Sequence, residues 1–202
     1  MTDTGVQINE LRQQTRAAQH ATSFPLLVIG VLLLNYSTTG FEPTPVAWRY
    51  AGALAFVALW GLGKANEYAT GVGRGRGDYL AIACGVFVAT QLTLSNWIVG
   101  ASWITEYRLE GMWIVIVGIG LAACGLSVRG HALVLWGAVT CAGGLAVALI
   151  GYQAWTYKGF QPFVNAGGLP FVGLQQTQIV TVLAVVLTVA GLVAFVRERR
   201  LS

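Results

Sequence analysis

Charge is what this chain has least of: Asp, Glu, Lys and Arg together make up 10% of its 202 residues, against about 25% in a soluble domain. None of these residues, and neither histidine, falls at the middle of a long apolar stretch. Ionisable groups at the centre of a bilayer are costly and mark ion paths, proton relays or voltage sensors, so those mechanisms are excluded in their usual form. Cysteine is scarce as well. Cys84, Cys124 and Cys141 fall one per apolar stretch with no CxxC pair, which excludes a disulfide framework and leaves reduced, small packing residues. With His20 and His131 alone, no spacing makes a zinc or haem site, so neither metal nor cofactor is expected. No Ser, His and carboxylate set and no pair of membrane Asp residues points to an enzyme, and no basic and aromatic interleaving points to nucleic acid.

What the chain has in abundance is apolar sequence. Hydrophobic residues make up 55% and mean hydropathy is +0.65. Six stretches stand out, from Ser23 to Tyr36, Val46 to Gly63, Tyr79 to Trp97, Met112 to Val128, His131 to Tyr152 and Gln178 to Val196. A hydrocarbon core of about 30 Å needs about 20 apolar residues; five stretches come close, and the first is shorter. The pattern predicts an all-α polytopic membrane protein, a bundle of six transmembrane helices over residues 23–196, with an amphipathic cytoplasmic segment over 1–22 and a basic cytoplasmic tail over 197–202.

Basic residues set the orientation. Arg12 and Arg16 precede the first stretch, Lys64, Arg74 and Arg76 follow the second, Arg129 follows the fourth, and Arg197, Arg199 and Arg200 follow the sixth. Only Arg49, Arg108 and Lys158 lie on the other side, so the positive-inside rule places both termini in the cytoplasm. The formal net charge of +4 then suits anionic lipid headgroups. No secretory signal is evident, since the first apolar run begins only near Phe24 and no small-residue cleavage site follows it.

Local signals refine this layout. Thr4 to Gln7 fits a capping box, and Ile8, Leu11, Thr15, Ala18 and Thr22 form a modest apolar stripe facing the inner surface or a partner. Ser23, with Pro25 in the first turn, reads as the cap of the first membrane helix, and Asp78 as the cap of the third. Only Arg129 and Gly130 separate the fourth and fifth stretches, which makes those helices antiparallel neighbours. Gly118, Gly120, Ala122, Ala123 and Gly125 on one, and Gly137, Ala138, Cys141, Gly143 and Gly144 on the other, would let their backbones approach closely. The outer connection from Gln153 to Thr177 is long, aromatic and apolar, and is predicted to fold onto the membrane surface or into the mouth of the bundle.

Two sets of residues are candidates for function. Asn35, Arg49, Gln91, Ser95 and Asn96 lie toward the outer ends of the first three stretches; converging, they would form a polar vestibule in which Arg49 attracts an anionic group. Alternatively, Arg49 snorkels to the interface and the amides bond between helices. Arg74 and Arg76 lie in the glycine-rich inner loop 71–77 and are candidates for contact with anionic lipid. That loop is neither GxGxxG nor a P-loop, and the Arg76-Gly77-Asp78 tripeptide falls on the wrong side for adhesion.

Through Ala21-Thr22-Ser23-Phe24-Pro25-Leu26-Leu27 and Val46-Ala47-Trp48-Arg49-Tyr50 the chain resembles six-span membrane proteins common in high-GC Gram-positive bacteria, which implies a bacterial inner membrane location and no particular function. In length, span number and orientation it is also similar to the acetate uptake transporter family. That family opens its first helix with Asn-Pro-Ala-Pro-Leu-Gly, where this chain has Ser23-Phe24-Pro25-Leu26-Leu27, so no site residue carries over. The expected role is that of an accessory or oligomeric membrane component acting through contacts with lipid, other subunits or itself. The second reading is a passive channel or facilitator for a small neutral or weakly acidic solute.

Overall fold

The computed structural model describes residues 21–39, 46–70, 78–100, 105–156 and 176–201. Six helices and no strand are found among them: α1 (Ser23–Thr39), α2 (Val46–Thr70), α3 (Tyr79–Gly100), α4 (Thr105–Ser127), α5 (His131–Thr156) and α6 (Gln176–Leu201). Each matches one apolar stretch and extends beyond it, three of them by five residues or more at one end. α2 continues to Thr70 through residues expected in a loop, α4 begins at Thr105 rather than near Met112, and α6 takes in Arg197, Arg199 and Arg200. Hydropathy ends at the first polar residue, but helix propensity does not: Ala, Glu, Lys and Arg are good helix formers. The extension of α2 also carries an i,i+3 ion pair, Lys64 to Glu67 at 3.4 Å. The amphipathic segment 1–20, its capping box and most of the outer connection before α6 lie outside the described residues.

Successive helices are neighbours, and α6 returns to pack on α1, closing a ring in which α4 also reaches across to α1 and α2. The contacts fix the directions. Leu27 meets Gly191 and Gly30 meets Thr188, so α1 and α6 are antiparallel. Tyr50 meets Gln91 while Gly52 approaches Val86, so α2 and α3 are antiparallel. Gly52 meets Val117 and Phe56 meets Gly120, so α2 and α4 are parallel. The chain therefore alternates up and down, and one end of the ring gathers the start of α1, the α4–α5 turn and the end of α6. Lys64, Glu67, Asp78, Arg129, Arg197, Glu198, Arg199 and Arg200 lie at that end, while Arg49, Glu106, Arg108 and Glu110 fall in the first two turns of α2 and α4, toward the other end.

The interior is apolar, with Leu26, Ile29, Leu33 and Tyr36 of α1 meeting Phe56, Ile114, Leu121 and Leu187. The Tyr36 ring stands edge-on to Trp113, with centroids 4.8 Å apart. The outside is apolar too. Each helix exposes large aliphatic side chains, among them Val31, Leu54, Leu92, Leu126, Leu135 and Val193. Hydroxyls are turned inward on their own helices: Ser37, Thr38, Thr90, Thr93, Ser127, Thr140, Thr181 and Thr188 each donate to a carbonyl three or four residues back, at 2.7 to 2.9 Å. Two stretches, His131–Leu149 and Thr177–Arg200, are long and apolar enough to cross a membrane, while Ser23–Thr38, Tyr79–Thr93 and Gly111–Ser127 are shorter apolar helices.

Close packing is concentrated in the α4–α5 hairpin. Gly111, Gly118 and Gly125 on α4 and Gly137 and Gly144 on α5 recur every seven residues, the spacing that holds one seam of a helix against its partner. A β-carbon at Gly118 would lie 2.7 Å from the Cys141 amide nitrogen, and one at Gly137 would lie 2.5 Å from that of Ala122. Backbone thus rests on backbone, and the Cys141 thiol donates across the seam to the Val115 carbonyl at 3.4 Å. The turn is equally tight. Gly130 N–H donates to Gly125 O at 2.7 Å and Arg129 N–H to Leu126 O at 3.2 Å, the paired bonds of a Schellman ending. The left-handed position of that motif, φ 53°, is filled by Arg129.

Side chains added along the seam should separate the hairpin. Gly137→Val, which must displace α4 backbone, is expected to lower stability by about 1–3 kcal/mol or more. Gly85→Ala, with nothing within 4 Å of the new carbon, should leave it unchanged or raise it by roughly 0.5–1 kcal/mol. Denaturation in detergent, followed by circular dichroism, compares the two directly; equal losses would contradict the packing described.

Candidate functional site

Beyond the Cys141–Val115 contact, two side-chain hydrogen bonds between helices stand out among the described residues. The first joins α2 and α3 toward the end opposite the α4–α5 turn. Ala83, Val86 and Thr90 form the buried face of α3, whereas Gln91 shares its exposed face with Leu80, Cys84 and Phe87. Antiparallel packing brings Tyr50 level with this face. The Gln91 side-chain amide donates to the Tyr50 hydroxyl at 2.7 Å, and the Tyr50 ring lies against Phe87 with centroids 5.6 Å apart at 33°. The result is a neutral amide–phenol bond at the rim of the α2–α3 groove, able to tie two helices and to exchange hydrogen bonds with a polar neighbour.

The other vestibule candidates are placed as follows. Asn35 is exposed near the outer end of α1, where its backbone carbonyl accepts from the Thr38 hydroxyl at 2.9 Å. Arg49 lies in the first turn of α2, and Ser95 and Asn96 lie in α3. The side chains of these three are outside the described residues, as are Arg74 and Arg76 altogether. Gln91 makes an interhelical hydrogen bond, and its partner Tyr50 was not among the candidates. A tyrosine one residue after a basic side chain at a helix start reads as an interfacial anchor. Its pairing appears only once α2 and α3 are aligned.

The second contact is at the charged end. Glu198 is 9% exposed, and its Oε1 accepts the Thr22 N–H at 3.0 Å, joining the last turns of α6 to the first of α1. A carboxylate at a helix start meets unpaired amides and the positive end of the helix dipole. Ser23, read from sequence as the cap, is fully buried, and its hydroxyl has no hydrogen-bond partner among the described residues. The capping acceptor comes instead from the far end of the chain. Set between arginines, Glu198 looks like part of a solvated tail. The signal was periodicity: Ala184, Gly191 and Glu198 recur every seven residues and are all buried. Asp78, by contrast, caps α3 as its position predicts, accepting the Ala81 N–H at 3.2 Å. Among the described residues no group of three His, Cys, Asp or Glu side chains could hold a metal ion.

A double-mutant cycle on Tyr50→Phe and Gln91→Leu should give a coupling energy near ~0.6 kcal/mol, the usual size for a hydrogen bond between membrane helices. Additive losses in detergent unfolding would mean that the two side chains do not act together. No family model, curated protein or solved structure matches the chain, so its function must be read from the arrangement of its own residues.

Proposed function

We propose that the chain is a six-span bundle of a bacterial cell membrane, with both termini in the cytoplasm, that works through helix contacts as an accessory or oligomeric component. Four features support the membrane part. The outward faces are as apolar as the interior, which in water would be an aggregating surface. Hydroxyls satisfied within their own helices leave little for lipid to solvate. The helices have 17 to 26 residues, or about 26 to 39 Å at 1.5 Å per residue, close to the thickness of a hydrocarbon core. The excess of cations at one end, against Arg49 and Arg108 at the other, suits the cytoplasmic leaflet.

The contact part is carried by three open glycines. Ten helical glycines bring helices together, each with a neighbouring atom within 2.9 Å of the position a β-carbon would take, while Gly61, Gly63 and Gly85 have nothing within 4 Å. All three lie on the adjacent helices α2 and α3. Exposed Leu54, Ala58, Gly61, Ala65 and Tyr68 continue along α2 at alternating four and three, the spacing with which α4 and α5 already pack. Small residues facing outward in this way let another membrane helix approach closely. The channel reading gains nothing from Gln91, whose amide is engaged with Tyr50.

Two differently tagged copies, co-expressed and extracted in mild detergent, test the oligomeric form; one tag should retrieve the other. Gly61→Leu should abolish retrieval while leaving the unfolding temperature within about 2 °C of wild type, as an exposed substitution should. A lone monomer without any co-purifying membrane protein, unaffected by Gly61→Leu, would sink the contact reading.

A further inference from the structure

We infer that the α4–α5 turn, together with Arg197 of α6, docks the phosphate of an anionic phospholipid in the leaflet at the charged end of the bundle; the inference rests on the membrane reading above. Arg129 occupies a left-handed position, φ 53°, that favours glycine because a β-carbon crowds the following carbonyl. Gly130 is the very next residue. The fold therefore carries a strained, exposed arginine where glycine would close the same turn more easily.

Its charge is also unpaired among the described residues. Lys64 at the same end is paired with Glu67, but neither Arg129 nor Arg197 has an acidic partner among the described residues. The helix registers put the two arginines at the same level of the bundle. α6 packs antiparallel on α5, with Leu183 against Gly143, and Leu183, Ala190 and Arg197 recur every seven residues. Arg197 thus lies on the α5 side of α6, level with the first turn of α5, which Arg129 and Gly130 precede. Two guanidinium groups present planar forks that suit phosphate oxygens.

What distinguishes a lipid from free phosphate is the wall beneath. Leu126, three residues before Arg129, and Leu135, six after it, stand exposed, and Val193 and Val196 precede Arg197, exposed likewise. Cations thus top an apolar face, matching a headgroup above its acyl chains.

The full chain is reconstituted in nanodiscs of phosphatidylcholine, with or without phosphatidylglycerol, and melted while tryptophan fluorescence is followed. Phosphatidylglycerol should raise the wild-type melting temperature. Arg129→Gly should melt higher than wild type in phosphatidylcholine alone and lose at least half of the phosphatidylglycerol increment; Arg197→Gln should lose a similar share, and inorganic phosphate should give no increment. An increment retained in full by Arg129→Gly, or reproduced by inorganic phosphate in phosphatidylcholine, would overturn the headgroup site and leave the membrane reading intact. Failure of the chain to enter nanodiscs would overturn both.

Discussion

Backbone contact across glycine holds this molecule together. Where lipid surrounds a helix, burying another leucine gains little, because the surroundings are already apolar, and association depends on how closely two helices can approach. The seven-residue recurrence of glycine in α4 and α5 supplies that approach, and the other helices are arranged around it. α4 meets α1 through Trp113 and Tyr36, and meets α2 and α3 where Gly120 admits Phe56 and Val86. α6 closes the ring against α1 by the same means, at Gly30 and Gly191. Packing of this kind tolerates no added volume.

Polar groups follow from the same constraint. Hydroxyls bond back to carbonyls of their own helices, as a chain in lipid would require, and the amide–phenol bond between α2 and α3 lies toward the end opposite the charged one. Most charged residues lie toward the end that holds the start of α1 and the end of α6. There Glu198 caps α1 from the opposite end of the chain. The N-terminal and C-terminal helices thus share one anchor at the charged end, beside the turn where Arg129 adopts its strained conformation.

Much of this was legible in the sequence. Apolar runs located all six helices, because the period and length of such runs do not depend on tertiary context. The Arg129-Gly130 turn and the small residues around it forecast the α4–α5 seam, and Asp78 its cap. Helix ends were less legible: hydropathy stops at Lys64, whereas the helix continues through residues of high propensity to Thr70. Pairings distant in sequence were not legible at all. Tyr50 with Gln91, and Thr22 with Glu198, depend on which helices become neighbours, and no local spacing encodes that. Of the vestibule candidates, Gln91 was visible as a polar residue in an apolar run, but its partner was not.

The most direct test of the lipid-facing arrangement is a spin-label scan along α6 in nanodiscs, from Val182 to Arg200, comparing collisions with molecular oxygen and with a water-soluble nickel complex. Oxygen should reach the exposed positions Val182, Val185, Val189 and Val193 while nickel is excluded, and nickel access should rise sharply from Arg197 onward. Nickel reaching Val185 and Val189 as freely as Arg200 would mean that water, not lipid, covers this face.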